Sequence, residues 1–102
     1  MRNPFRKPIE LSEFRVEDYL DSDEAIAAYL TAALEENDPE FFQVALGDVA
    51  RARGGMAQVA ETAGVGRESL YKSLSADGNP RLSTVMGVVE ALGFKLAVEP
   101  RS

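Results

Sequence analysis

Residues 56–74, MAQVAETAGVGRESLYKSL, restrict this chain more than any other stretch. Met56, Val59, Ala60 and Ala63 recur at helical spacing and give a first short helix one apolar face. Gly64 supplies a residue able to take a positive φ and end that helix. Val65 plugs the corner, and a second helix follows from about Arg67 with Leu70 and Leu74 turned inward. Ala60 is small, as two helices crossing steeply require at closest approach. The pattern predicts a helix-turn-helix, whose second helix enters a DNA major groove. A plain helical hairpin is the competing reading. Against it stand the outward residues of the second helix, Arg67, Glu68, Tyr71 and Lys72, which are groups that reach bases or phosphates.

A chain of 102 residues, 45% apolar, supports one domain with a modest core. It has no cysteine and no histidine, which removes disulfide frameworks, thiolate zinc sites and thiol or imidazole catalysis. No cofactor, no metal and no enzymatic activity are expected, and a cytoplasmic location is. Arg2, Arg6 and Lys7 are followed by no apolar run of the kind a secretory signal needs. Nor does any stretch approach the ~20 apolar residues of a membrane helix. Charge is divided unevenly. Residues 1–48 carry four basic and twelve acidic side chains, whereas residues 49–102 carry seven basic and five acidic ones. An acidic protein is an awkward DNA binder, because phosphate neutralisation drives non-specific affinity. The helix-turn-helix, however, lies in the basic half, and the acidic half suits a basic partner.

Residues 1–20 are irregular, interrupted by Pro4 and Pro8, and read as an N-terminal arm with a short extended piece around Phe14 and Val16. A helical domain over residues 21–100 follows. Asp21 and Glu24 have capping-box spacing, and Ile26, Tyr29, Leu30, Ala33 and Leu34 form the apolar stripe of a helix ending near Glu36. Asp38-Pro39 starts the next helix, which runs to about Arg53 and buries Phe42, Ala45, Leu46, Val49 and Ala50. After the two motif helices, ADGNP at 76–80 is a loop of turn formers. A last helix spans about Leu82 to Leu92 with Leu82, Val85, Met86, Val89 and Leu92 inward, and Gly93 ends it. Phe94, Leu96 and Val98 then alternate with Lys95, Ala97 and Glu99 as in a short strand. A lone strand is unstable in water. It needs either the N-terminal extended piece or the same strand of a second subunit.

The run from Gly47 to Pro100, with the acidic DSDEAIAAYL helix before it, resembles the probable addiction-module antidote proteins. These are small antitoxins related to the HigA group. The RARG helix end, RESLYKSL, the DGNP loop and ALGFKL carry the resemblance, which covers roughly residues 14–100. It implies a mainly all-α fold: a lambda-repressor-like helix-turn-helix bundle of about five helices with a short C-terminal β-strand. It also implies a type II antitoxin that neutralises a RelE/ParE-like toxin, encoded by an adjacent gene, and that binds its own operator DNA as an autorepressor. Relatives place Ser where this chain has Gly66, as cap of the second motif helix. A stand-alone prophage-type repressor without a toxin, and an interaction module without DNA binding, are the rival readings.

On the motif reading, Arg67 forks onto guanine or pairs with Glu68 or a phosphate. Glu68 meets a cytosine amino group or complements the helix dipole. Ser69 and Lys72 meet phosphate, and Tyr71 contacts a thymine methyl or a phosphate, or else covers the core. Asn79 and Arg81 flank Pro80 in a loop expected near the DNA backbone. Arg51 and Arg53 either touch phosphate or complement the end of their helix. Asp18, Asp21, Asp23, Glu24, Glu35 and Glu36 form an acidic face, read either as solvated surface or as the dock for the cationic toxin. One recognition helix reads only a few base pairs, so a homodimer on double-stranded operator DNA is expected.

Overall fold

A computed structural model describes residues 19–101. Within them the chain forms five helices: α1 (Asp23–Glu35), α2 (Pro39–Ala52), α3 (Met56–Ala63), α4 (Arg67–Ser73) and α5 (Leu82–Ala91). The expected arm lies outside the described residues except for Tyr19 and Leu20, as do Asp18 and the extended piece around Phe14 and Val16. Leu20 is fully buried and so belongs to the core, although residues 1–20 read as arm.

Local chemistry accounts for most boundaries. The cap of α1 is Ser22, whose Oγ accepts from the Ala25 amide at 3.1 Å, and not Asp21 as the capping-box spacing suggests. Serine and aspartate are comparable caps, and with the extended backbone falling at Ser22, one residue beyond Asp21, the helix begins at Asp23. Asp38 caps α2 as expected, its Oδ1 accepting from the Glu40 and Phe41 amides, with Pro39 in the first turn. Between α1 and α2, Asn37 takes a left-handed conformation (φ 57°), which asparagine tolerates.

The helices close around one cluster, with α1 packed on α2, and α3 on α4 and α5. Ile26, Leu46, Val49, Ala50, Ala60, Leu70 and Val88 are its innermost members. Two parts of the expected apolar pattern are rotated. In α5 the buried stripe is Val88, Val89 and Leu92, with Val85 half-buried, while Leu82 is 69% exposed and Met86 is also outward. Both stripes have helical spacing, and the neighbours of α5 select the one centred on Val88. Leu34 is likewise exposed, at the end of α1.

The strand expected at Phe94–Val98 is not formed among the described residues. The turn after α5 places the Phe94 amide on the Val89 carbonyl (3.0 Å) and the Gly93 amide on the Glu90 carbonyl (2.9 Å). Beyond Phe94 the segment runs out with no ladder partner among the described residues. A strand exists only by pairing; of the two expected partners, the piece around Phe14 and Val16 lies outside the described residues and the other is a second subunit.

Candidate nucleic-acid interface

The turn between α3 and α4 fixes the presentation of α4. Gly64 adopts φ 77°, open to glycine at little cost. Its amide donates to the Glu61 carbonyl (3.2 Å), while the Val65 amide donates to Ala60 (3.0 Å), so two otherwise orphaned carbonyls of α3 are satisfied. Val65 packs against the core and anchors the turn. Gly66 then caps α4 with an ordinary extended backbone and no side-chain hydrogen bond.

Given that entry, α4 splits cleanly. Leu70 and the following Leu74 go into the core, Leu70 being 1% exposed. Arg67, Glu68, Ser69, Tyr71 and Lys72 all face outward, Tyr71 being 60% exposed. Arg67, Glu68 and Tyr71 line a shallow hollow shared with Arg51 of α2 and Met56 of α3. Arg51 is held there by Asp48, whose Oδ1 accepts from its Nη2 at 2.5 Å, while the other carboxylate oxygen accepts from the Tyr29 hydroxyl at 2.7 Å. Thus α1 and α2 together brace an arginine beside the motif helix. Tyr29 reads from sequence as one more member of an apolar stripe. The signal for its second role was a hydroxyl among aliphatic residues, and an aspartate within α2.

The segment after α4 is fixed by Gln43, the buried polar residue of the core. Its Nε2 donates to the carbonyls of Ser75 (2.7 Å) and Gly78 (2.8 Å), satisfying two loop acceptors from inside. Gly78 must be glycine by close approach, since a Cβ there would fall 2.2 Å from the Ser73 carbonyl oxygen. No periodicity in the sequence marks Gln43, which occupies a polar position beside Phe42 in the α2 pattern. Asn79 and Arg81 beyond this loop are exposed. Asn79 borders a separate apolar groove with Leu34, Phe42 and Leu82, and does not line the hollow that holds Arg67.

The acidic residues do not form one continuous face. Asp23 and Glu24 occupy the first turn of α1, with Asp21 just before it, and Glu35 and Glu36 close its other end. Twelve helical rises, about 18 Å, separate the two groups. Asp23 pairs with Arg53 at the end of α2, an exposed ion pair of small energetic value. Asp23 and Glu24 complement the positive end of the helix dipole. Glu35 and Glu36 oppose its negative end, and no basic residue lies in that last turn. Lys95, from the segment after α5, lines the same hollow as Glu35 and is the basic side chain nearest to hand in that hollow. Among the described residues no group of carboxylates converges as a metal-binding set, and no helix is long and apolar enough to cross a membrane.

Among known proteins, a family described as "Probable addiction module antidote protein" matches residues 10–100. A protein of Haemophilus influenzae described as "Uncharacterized protein" is 47% identical over 90 residues, covering 88% of this chain and 92% of the relative. No solved structure matches the chain.

Proposed function

Because the chain belongs to the family of probable addiction module antidote proteins, we propose that it is the antitoxin of a type II addiction module. In this role it neutralises a small basic toxin of the RelE/ParE-like group and represses its own operon by binding operator DNA. The observation that carries the DNA-binding half is the outward rim of α4, set by the Gly64 turn and backed by Leu70 and Leu74 in the core. The pair α3–α4 acts as a helix-turn-helix of the lambda-repressor kind. Arg67, Glu68 and Tyr71 meet base edges or phosphates, and Ser69, Lys72 and the braced Arg51 meet phosphates. Arg81 and Asn79 contribute at the flank. Two copies place two such helices about 34 Å apart on a pseudo-palindrome.

The toxin-binding half rests on family membership and on charge. Both ends of α1 are acidic, and its last turn holds no basic residue to oppose the negative end of the helix dipole, which favours a cationic partner there. Before toxin binds, the acidic half repels DNA at long range. Bound toxin cancels that charge and adds cationic surface, so the complex holds the operator more tightly than the antitoxin alone, most visibly at low salt.

The test is a gel-shift titration on the duplex upstream of the chain's own gene, with and without the product of the adjacent gene, at low and high salt. Tighter binding with the toxin, and a larger gain at low salt, is expected. Equal affinities in all four conditions contradict the coupling. Co-expression with that neighbour, scored by growth and co-purification, tests neutralisation. A repressor without a toxin partner would bind the duplex but rescue nothing.

A further inference from the structure

We infer that the apolar groove between the last turn of α1 and the first turns of α2 and α5 is the seat of the basic toxin. This rests on the antitoxin reading proposed above and deepens it, by assigning an apolar docking surface beside the acidic end of α1.

Leu34 and Leu82 fit the apolar stripes expected of their helices yet stay outside the core, 46% and 69% exposed. They do not stand singly. Both line one groove, joined by Leu96, itself 39% exposed, over a floor of Phe42 and Val85 that packs on the core. Scattered surface leucines need no explanation, whereas apolar side chains gathered into a concave surface mark a binding site. The groove is also preformed. Its floor belongs to the core, and Pro39 and Pro80 stiffen two of its edges. Gln43 lines it while donating to the Ser75 and Gly78 carbonyls of the loop that forms another wall. A surface already ordered costs an occupant little to bind.

Charge selects the occupant. Asp38 is the one charged side chain that lines the groove among the described residues. Glu35, Glu36 and Glu40, next in sequence to lining residues, are all exposed, and the first two lie at the negative end of the α1 dipole. Against these four carboxylates, the basic residues next to lining residues are Arg81 and Lys95. Lys95 is shared, since it lines an adjoining hollow with both Glu35 and Glu99. The balance suits a protein segment that carries apolar side chains between lysines or arginines. A second copy would bring one acidic surround up to another, and a duplex is disfavoured by the same sign. The groove shares no residue with the hollow of Arg67, Glu68 and Tyr71. A toxin seated here leaves the outer rim of α4 open, as a complex holding toxin and operator at once requires.

Calorimetric titration of the purified product of the adjacent gene onto the full chain tests this. Wild type is expected to bind. Leu34→Ser and Leu82→Ser should each weaken binding about tenfold or more. Met86→Ser, at an exposed position of α5 that does not line the groove, should leave it unchanged. Glu35→Lys with Glu36→Lys should weaken binding severalfold at low salt and less at high salt. Without toxin, the variants should keep the unfolding midpoint, the sedimentation behaviour and the duplex affinity of wild type. A wild type that does not bind the adjacent product removes the antitoxin reading and this inference together. Binding that survives both serine variants overturns the inference alone. A lowered unfolding midpoint in the free serine variants would assign the groove to the chain's own residues, and altered sedimentation would assign it to a second copy; either result overturns the inference.

Discussion

Two exposed regions of this molecule differ in how completely the chain itself accounts for them. The outer rim of α4 is exposed because its other side is fully used. Leu70 and Leu74 are buried, the turn carbonyls are satisfied, and what faces water is polar or aromatic. The segment after Phe94 is exposed because nothing in the described chain covers it, and it leaves backbone groups and Val98 in water. A side chain turned outward from a finished scaffold points to a ligand that arrives later, such as a duplex. A segment that the described residues leave uncovered has no such finished scaffold behind it, and its exposure alone does not point to a ligand.

This contrast can be broken within single elements. Leu70→Ala should cost about 2–5 kcal/mol in denaturant unfolding, because it empties the core under α4. Its neighbour Tyr71→Ala should cost within about 0.5 kcal/mol, as for an exposed site. Similar losses at both positions would show that the rim is structural. Next in size is Gln43→Leu, which strands the Ser75 and Gly78 carbonyls and should lower stability by about 1–3 kcal/mol. An unchanged unfolding midpoint would mean that the loop after α4 is not held from the core. Tyr29→Phe should remove about 1 kcal/mol, the hydroxyl bond to Asp48, and should also weaken duplex binding if that bond keeps Arg51 in place. A loss of stability with binding intact would confine Tyr29 to the scaffold. The smallest effect should be a gain. Gly66 has no positive φ and open space where a Cβ would stand, so Gly66→Ser should add a few tenths of a kcal/mol by capping α4. A lowered thermal midpoint would contradict the cap.

Most of the fold was legible where one residue type answers a single local demand. Asp38-Pro39 opens α2, Gly64 turns α3 into α4 and Gly93 ends α5, because each meets a backbone requirement that few other residues meet. Faces were harder. α5 carries apolar residues on two overlapping stripes, and only the packing of its neighbours decides that Val88 goes in while Leu82 and Met86 stay out. The acidic residues of α1 looked like one face because sequence proximity stood in for distance, whereas the helix sets Asp23 and Glu36 at opposite ends. At the candidate site, the outward orientation of Arg67, Glu68, Ser69, Tyr71 and Lys72 was visible from the helical spacing of Leu70 and Leu74. The brace from Tyr29 through Asp48 to Arg51 was not, since it joins residues from two helices and no spacing within either one reports it. The C-terminal strand illustrates the limit in another way: its side-chain pattern is present in the sequence, but strand structure depends on a pairing partner, and none lies among the described residues.

The most direct measurement is the salt dependence of affinity for the duplex upstream of the chain's own gene, comparing wild type with the Arg67→Ala, Lys72→Ala double variant. Each lost phosphate contact should lower the slope of log affinity against log salt by about 0.9, so the double variant should bind more weakly with a slope shallower by up to about 1.8 and an unchanged unfolding midpoint. Equal affinity and equal slope for the two proteins would contradict the assignment of the α4 rim to DNA.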